Sequence, residues 1–408
     1  MQRTAEVMMA EAKKLVKALV AEAREVRGQA GVEGLERSVR EKGQEFLRVV
    51  FEQLLQGVLN RQEEGRACPV CGGRRRHKGV RCRGVVSSVG AIELEGPYWY
   101  CRRCRSGQHA LDALAPESFS GVMEELLCLL GTSMTSFAKA GEACKKLLGV
   151  RLSTDMIWRL CRRAGQRVLA DPPAAPEVAK ETDLVGSCDG TMVNTRQDGW
   201  RELKAYRYEH PGGVYGGAHL EGSERFLPRL RQAALAMGAV RARRIFFVSD
   251  AAEWIDKGVA VQLPMAIRIV DIWHAYQHVH EAGRKLYGEG TPKGGAWADR
   301  WCRHLREHGG RVTWWSLRRV RFKDAARQAA LEALLGYLDR NAERMDYPTY
   351  ERAGWPISSG AMESFCKQLG GRLKGPGMRW SLDNVDPMAA LVILWSQDRW
   401  DDYWSQAI

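Results

Sequence analysis

Long apolar runs are absent from this sequence: no stretch of about eighteen uncharged apolar residues, the length of a membrane span, occurs. Internal repeats and low-complexity tracts are absent as well, which excludes solenoid and fibrous architectures. Residues 1–27 mix Glu, Lys and Arg every few positions without a small-residue cleavage site, so they do not look like a secretory signal. These absences predict a globular protein of the cytoplasm.

Cysteine is present, but its use argues against a disulfide scaffold. Small secreted domains need such scaffolds, whereas this chain has 408 residues, enough for about two to four domains, and 11 cysteines. Four of the cysteines form two Cys-x-x-Cys pairs. The others are scattered, and we interpret most of them as small buried apolar residues: Cys82, Cys128, Cys144, Cys161, Cys188, Cys302 and Cys366.

An acidic excess is also absent: 62 Lys and Arg stand against 49 Asp and Glu, a net charge of +13. Basic proteins bind polyanions because each neutralised phosphate releases condensed counterions, although many enzymes without such partners are basic too. Positive charge is concentrated between Arg61 and His109, where 11 residues are basic and 4 are acidic. This segment therefore favours nucleic acid as a partner.

Two regions of the N-terminal half have helical periodicity. Apolar stripes in residues 1–65 predict packing within the protein, or alternatively an oligomerisation surface or part of a DNA clamp. In residues 113–170 one helix is predicted to end before Gly149, and Ser153 or Thr154 can cap a second helix that ends near Gly165. The pair looks like a helix-turn-helix, either as plain packing or with DNA contacts from Arg159, Arg162 and Arg163.

The cysteine pairs predict a zinc ribbon over residues 66–112. Cys68-Pro-Val-Cys71 and Cys101-Arg-Arg-Cys104 can supply four thiolates at about 2.3 Å from a tetrahedral Zn²⁺, with β-ribbon between the two knuckles. Less regular alternatives are His77, Cys82 and His109 as ligands, unligated core cysteines, or a redox dithiol. Basic residues on the ribbon are candidate DNA contacts: Arg74, Arg75, Arg76 and Lys78, with Arg81 and Arg83 nearby.

After a proline-rich linker at 171–178, strands and helices alternate and predict a mixed α/β sheet. The predicted strands are 184–193, 202–208, 214–220, 244–248 and 266–270, with a helix at 226–237 before the fourth strand. Further helices are predicted within 273–345 and at 358–374 and 386–403.

Three carboxylates occupy positions that suit catalysis by two metal ions. Asp189 lies in a glycine-flanked strand, Asp250 follows an apolar strand, and Glu363 lies in the first turns of a helix. Taken singly, each has an ordinary interpretation as a turn residue, a strand-end cap or a solvated helix residue. Together they can hold two Mg²⁺ or Mn²⁺ ions, which prefer hard oxygen ligands and promote in-line phosphoryl displacement.

In this order the motifs resemble those of DDE insertion-sequence transposases, most closely the Kra type. The matching segments are CPVCGG, YWYCRRC, SCDGTMVNTR, WRELKAYRYE, IFFVSDAAEWI, RIVDIWHAYQHVH, SSGAMESFCKQLGGRLKGPGMRWS and a Trp-rich tail, over roughly residues 65–405. The resemblance implies an RNase H-like catalytic domain at 179–272 and 346–408, interrupted by a helical insertion at 273–345. It also implies Asp189, Asp250 and Glu363 as the Mg²⁺ ligands.

Further site residues follow from the same resemblance. Asp271 and His274 look like an Asp-x-x-His element, and Asp271 competes with Asp250 as second ligand because it too ends a strand. His274 is expected to contact the scissile phosphate, to orient Asp271 or simply to pack, and with His278 it could bind a metal. Lys367 lies on the helical face of Glu363.

Basic residues after Glu363 are either a solvated face or phosphate contacts: Arg372, Lys374 and Arg379. Trp273 or Trp380 could stack on an unpaired base. Two positions depart from the family pattern. Ala251 replaces the glycine of an expected Asp-Gly-Ala motif. Ser358 replaces the first glycine of an expected Gly-Ser-Gly motif.

The sequence therefore predicts a DNA transposase that cleaves transposon ends and joins them to target DNA. Expected partners are double-stranded DNA, as transposon ends and as target, and at least one further copy of the chain. Expected cofactors are two Mg²⁺ or Mn²⁺ ions and one structural Zn²⁺. The alternatives are a catalytically silent, repurposed transposase that acts as a DNA-binding protein, and a plain nuclease.

Overall fold

The computed structural model describes residues 2–61, 67–115 and 117–407, so the predicted boundary between residues 65 and 66 lies outside the described residues. The chain divides into two compact units. One is Met1–Arg163 with Asp401–Ile408, and the other is Ala164–Trp400. Within the described residues no helix combines the length and hydrophobicity that crossing a membrane requires.

The first unit begins with two long helices, α1 (Gln2–Glu25) and α2 (Gly28–Leu59), as the N-terminal periodicity predicts. A three-stranded antiparallel sheet follows, built in chain order from β1 (Arg75–Ser87), β2 (Gly90–Cys101) and β3 (Gly107–His109). The predicted ribbon is thus present between the cysteine pairs. Its core is small and is completed by helix α2: Leu59, Val85, Ile92, Leu94 and Leu111 are buried together.

Three helices come next: α3 (Gly121–Ser133), α4 (Phe137–Leu148) and α5 (Thr154–Ala170). Gly149 ends α4 in the left-handed conformation, with φ of 68°, and the Ser153 hydroxyl accepts a hydrogen bond from the Met156 amide at 3.2 Å. The predicted end of α5 near Gly165 is wrong. Gly165 serves close packing instead, since a Cβ there would lie 2.0 Å from the Pro387 carbonyl oxygen.

A five-stranded mixed sheet forms the centre of the second unit, in the spatial order β6-β5-β4-β7-β8. Its strands are β4 (Asp183–Thr195), β5 (Gly199–His210), β6 (Gly213–His219), β7 (Arg244–Ser249) and β8 (Ile267–Val270). β4, β5 and β6 pair antiparallel, whereas β7 pairs parallel with both β4 and β8. All five predicted strands are confirmed, with shifts at their ends.

Helices cover both faces of this sheet. α6 (Ser223–Ala236) and α7 (Glu253–Gln262) contribute to one buried cluster with Phe247. Phe246 belongs to the opposite cluster, which includes residues of α8 (Ile272–Tyr287), α9 (Pro292–Leu317), α10 (Ala325–Asn341) and α11 (Tyr347–Arg352). Neighbouring residues of β7 thus enter different cores, because side chains alternate along a strand.

The remaining helices are α12 (Gly360–Leu373), α13 (Leu382–Ser396) and α14 (Trp400–Ala407). α12 packs against β4, which is the strand that carries Asp189. The mixed α/β class is therefore confirmed. The assignment to an RNase H-like fold stays a prediction.

Candidate active site

Strand register brings Asp189 and Asp250 to the same level of two neighbouring strands. β4 and β7 run parallel, and their last pair is Ser187 with Val248. Two residues further along each strand direction come Asp189 and Asp250, so the two carboxylates leave adjacent strands at the same level. Asp250 follows the carboxyl end of β7, a usual location for binding sites in α/β sheets, whereas β4 continues past Asp189 to Thr195.

Asp189 is partly buried. Burial raises the pKa of its carboxyl group; the negative charge of Asp250 raises it further, and His274 opposes the shift. One carboxylate oxygen accepts a hydrogen bond from the Gly190 amide at 2.7 Å. The Cys366 thiol of α12 also hydrogen-bonds to Asp189, and burial raises the pKa of this thiol to about 12. The carboxylate thus lies between a second acid, a histidine and a protonated thiol.

Asp250 holds a tight turn at the end of β7. Its Oδ1 atom accepts a hydrogen bond from the Ala252 amide at 2.9 Å, which closes the turn around Ala251. Ala251 has a φ of 65°, in the left-handed region where a side chain is unfavourable. This is the position at which the family resemblance implies glycine. The turn that orients Asp250 is therefore strained.

Asp271 fastens two helices together. It is 2% exposed, and its Oδ1 atom accepts hydrogen bonds from the amides of Trp273 at 2.6 Å and His274 at 3.3 Å, capping α8. Its Oδ2 atom accepts from both the amide and the hydroxyl of Ser359. Both oxygens are therefore engaged, which favours Asp250 over Asp271 as a metal ligand.

The contact between Asp271 and Ser359 lies at the start of the helix that carries Glu363. The Ser359 carbonyl oxygen accepts the Glu363 amide at 3.1 Å in the first turn of α12. Asp271 thus fixes the start of the helix that carries the third carboxylate. The Glu363 side chain is 66% exposed and forms an ion pair with Lys367 at 2.9 Å. It points along its own helix and not toward a shared ligand group.

Only one group of three or more metal-binding side chains, with ligand atoms within 4.8 Å of one another, occurs among the described residues, and it is made of cysteines. The three predicted carboxylates do not form such a group with their side chains as placed. The nearest link to Glu363 is Cys366, one turn further along α12, which contacts Asp189. On a helix, residues three apart lie on the same face.

Histidines and a tyrosine lie beside the carboxylates. The ring of His278 stacks on Tyr337 of α10, with 3.8 Å between centroids, and burial lowers the pKa of His278. Burial raises the pKa of Tyr337, and the charges of Asp250 and Asp271 raise it further. In the part of the chain that the structure describes, His274 and His278 gain no third ligand, so no observation supports them as a metal site.

Sequence reasoning missed Tyr337 and two residues of β5. Glu202 acts electrostatically on Asp189, and Lys204, which is 8% exposed, pairs with Glu202 at 2.5 Å. The alternation of Glu202 and Lys204 along the strand after Asp189 was an available signal. Tyr337 had none, because it is far from the motifs in sequence.

The basic residues that follow Glu363 differ in exposure. Arg372 is 4% exposed, and its guanidinium lies over the Trp380 ring at 5.0 Å. Trp380 is also buried and donates its indole hydrogen to the Leu373 carbonyl at 3.0 Å. Both side chains are therefore packed inside the protein, which does not support them as DNA contacts. Lys374 and Arg379 are exposed.

Trp273 differs from Trp380 because it is 58% exposed at the start of α8, next to the capping Asp271. Its ring contacts Tyr276 edge-on, with 5.6 Å between centroids. Of the two tryptophans proposed to stack on a base, Trp273 alone presents an accessible ring.

The arginines of α5 are partly engaged within the protein. Arg163 forms ion pairs with Glu117 at 2.8 Å and with the buried Glu124 at 3.2 Å, so it holds α5 in place. Arg159 is 68% exposed and pairs with Asp155, one turn earlier in its own helix. Arg162 lies over Trp158 at 5.9 Å. Arg159 is thus the most accessible of the three predicted contacts.

The four cysteines of the two knuckles form a group that fits zinc. Cys68 and Cys104 have sulfur atoms 3.6 Å apart, as do Cys71 and Cys101. Zn–S bonds of about 2.3 Å in a tetrahedron separate the sulfurs by about 3.8 Å, close to these distances. Burial raises the pKa of Cys68, but hydrogen bonds from Ser106 and from backbone amides outweigh it and lower the pKa to about 6.

The alternative zinc ligands lie elsewhere. His109 accepts the Leu111 amide at 3.0 Å through Nδ1, and its Nε2 contacts the Arg81 carbonyl at 2.9 Å. His77 packs on Trp99, and Cys82 is exposed beside Glu93. The predicted contacts Arg74, Arg76 and Lys78 are exposed on the ribbon, whereas Arg75 bonds to Gln108.

No protein-family model and no curated protein sequence matches the chain. Among solved structures, it is similar to a Drosophila P element transposase strand transfer complex, at 10% sequence identity over 71% of this chain and 81% of that chain, with a TM-score of 0.26. Similarity at this level carries no argument, so the function has to be inferred from the geometry of the site.

Proposed function

We propose that this chain is a DDE-type DNA transposase of an insertion sequence, whose RNase H-like domain uses Asp189, Asp250 and Glu363 as ligands of two Mg²⁺ ions. The observation that carries the proposal is the parallel register that sets Asp189 level with Asp250. The contact between Cys366 and Asp189 supports the role of Glu363, because both α12 residues share a helix face. The sheet, with three antiparallel and two parallel strands, supports the fold.

The chemistry of these residues suits hard divalent cations. Asp189 and Asp250 place two negative charges side by side in a partly buried site, and a cation between them would offset their repulsion. Glu363 is exposed and pairs only with Lys367 of its own helix, so its side chain can change rotamer when a cation binds. The oxygen ligands exclude zinc as the preferred ion at this site.

Each residue then has a defined task. Two Mg²⁺ ions would activate the attacking oxygen and stabilise the leaving oxygen of an in-line displacement. Asp189 and Asp250 bind and orient at the same level of two neighbouring strands, and Asp271 holds the start of α12 through Ser359. His274, which acts electrostatically on Asp189, would contact the scissile phosphate.

DNA recognition would use exposed basic residues, because phosphate contacts position a duplex without reading its sequence. We propose Lys374 and Arg379 beside the active site, the ribbon residues Arg74, Arg76 and Lys78, and Arg159 of α5. Joining two transposon ends requires a dimer or a larger assembly. A cytoplasmic location and the Kra-type assignment remain predictions.

Strand cleavage and strand transfer with Mg²⁺ test the proposal, on linear DNA carrying the sequences that flank this reading frame. Asp189→Asn, Asp250→Asn and Glu363→Gln should each reduce both steps about 100-fold or more, because each removes a ligand charge. Asp198→Asn makes the same chemical change at the exposed β4–β5 turn, where Asp198 pairs with Arg201, and should have wild-type activity.

The alternatives give different results in this experiment. A repurposed DNA-binding protein would bind the DNA, with wild type and the three variants equally inactive. A plain nuclease would cleave in an Asp189-dependent manner but never join ends. Either result would refute the transposase assignment.

A further inference from the structure

Tyr337 lies in α10, within the predicted helical insertion, yet it is buried in the core that covers one face of the five-stranded sheet. The residue is 7% exposed and packs in the same core as Val248 and Val270, the last apolar residues before two of the aspartates. Its ring stacks on His278 of α8. The insertion thus contributes a phenol to this core from a distant part of the chain.

The Tyr337 hydroxyl is enclosed, and among the described residues it has no hydrogen-bond partner. A buried polar group without a partner destabilises the folded state, so each such group needs an explanation. Two neighbouring tyrosines of the same core do have partners. Tyr347 donates to the Val270 carbonyl at 3.1 Å and Tyr350 to the Glu343 carbonyl at 3.4 Å. Core packing therefore does not by itself explain an unpaired phenol.

Two carboxylates act electrostatically on this hydroxyl, those of Asp250 and Asp271. The Asp271 oxygens are already engaged by backbone amides and by Ser359. Asp250 uses Oδ1 for the Ala252 amide, whereas no described residue donates to its Oδ2 atom. Of these two carboxylates, Asp250 is therefore the one with an oxygen, Oδ2, that can accept a hydrogen bond from the Tyr337 hydroxyl.

We propose that Tyr337 is a positioning residue for Asp250. Its hydroxyl donates a hydrogen bond to the Asp250 carboxylate, directly or through one water, and fixes the orientation in which this carboxylate binds a divalent cation. The inference rests on the proposed function, because it assumes that Asp250 is a metal ligand. Groups that orient metal ligands in this way commonly change metal affinity or activity by about 10–100-fold when removed.

The test is Tyr337→Phe in the full-length, zinc-loaded protein, with Mn²⁺ as the probe. We expect the Mn²⁺ affinity, measured by electron paramagnetic resonance of free Mn²⁺, to fall about 10-fold or more. The Tm should stay unchanged or rise, since the substitution removes a buried hydroxyl that has no partner. A purely structural role would not lower affinity while preserving the Tm.

Tyr350→Phe is the matched control, because it removes a hydroxyl from the same core that donates to a carbonyl. It should lower the Tm and leave the Mn²⁺ affinity as in wild type. Equal Mn²⁺ affinity in Tyr337→Phe and wild type would overturn the inference, as would a joint loss of Tm and affinity in Tyr337→Phe. Wild-type binding that Asp250→Asn does not weaken would instead refute the proposed function, and the inference with it.

Discussion

Ala251 shows how a single residue can be strained at a candidate active site. Its φ of 65° belongs to the left-handed region, where the Cβ atom crowds the following carbonyl oxygen at a cost of about 1–2 kcal/mol. The hydrogen bond from the Ala252 amide to Asp250 holds the turn in this conformation. Strain of this kind persists where surrounding structure imposes it, and it tends to cluster at functional sites.

Ala251→Gly should therefore raise the free energy of unfolding, by about 1 kcal/mol, because glycine adopts positive φ without a steric cost. Urea denaturation measures the change. Ala353→Gly is the control: Ala353 is exposed with a φ of −85°, so glycine there should only add flexibility to the unfolded chain and lower stability. Destabilisation by both substitutions would contradict the assignment of strain to Ala251.

Among elements, the cysteine ribbon is the one that we expect a bound metal to stabilise most. Its knuckles are shaped by local hydrogen bonds, such as the Cys68 amide to the Gly73 carbonyl at 2.8 Å and the Cys101 amide to the Ser106 carbonyl at 2.8 Å. Its buried cluster is small. Small elements with little core commonly take their folding free energy from a structural metal.

Removing zinc should unfold this element first. A chelator, or Cys101→Ser, is expected to make residues 67–115 sensitive to proteolysis and hydrogen exchange while the five-stranded sheet stays protected. Cys82→Ser is the matched control, since Cys82 is exposed and lies outside the cysteine group. It should bind one zinc ion per chain, as we expect of wild type. A Cys101→Ser protein with full zinc content would contradict the site.

The ends of helices α4 and α5 show where sequence periodicity does and does not predict a helix boundary. Helix α5 continues past Gly165 to Ala170, although glycine near the end of an apolar pattern usually signals termination. The reason is tertiary, because Pro387 approaches the helix at that point and leaves no room for a Cβ atom. By contrast, Gly149 ends α4 through its own backbone conformation, which a local signal can predict.

The whole molecule carries a net charge of +13, which should govern its affinity for DNA. Counterion release makes such binding depend on salt, with a slope of about −0.9 in log affinity against log salt for each phosphate contacted. Catalysis is a separate property. Asparagine variants of the carboxylates should therefore bind duplex DNA at least as well as wild type.

Lys374→Gln combined with Arg379→Gln should make that slope shallower by about 1.8, if each residue contacts one phosphate. Fluorescence anisotropy over a salt series measures the slope. Lys257→Gln is the control, because Lys257 is exposed on α7 and forms an ion pair with Glu253 in its own helix. If the double variant keeps the wild-type slope, Lys374 and Arg379 do not contact phosphates.

Sequence periodicity and local turn chemistry predicted the strands, the ribbon and the cysteine group, because each depends on residues close together in the chain. The order of Asp189, Asp250 and Glu363 was also visible, but their arrangement was not. The burial of Arg372 and Trp380 was not predicted, since burial depends on what packs over a residue and not on its own chemistry.

The amino-acid sequence by itself determined which residues could bind metals and which segments become strands and helices. Only the tertiary structure decided that Asp189 and Asp250 lie level across parallel strands, that both Asp271 oxygens accept hydrogen bonds at the starts of two helices, and that the Tyr337 hydroxyl is buried without a partner among the described residues. The physical reason is that these relations arise from packing between segments far apart in the chain, where register and burial are set by the whole core and not by any local pattern.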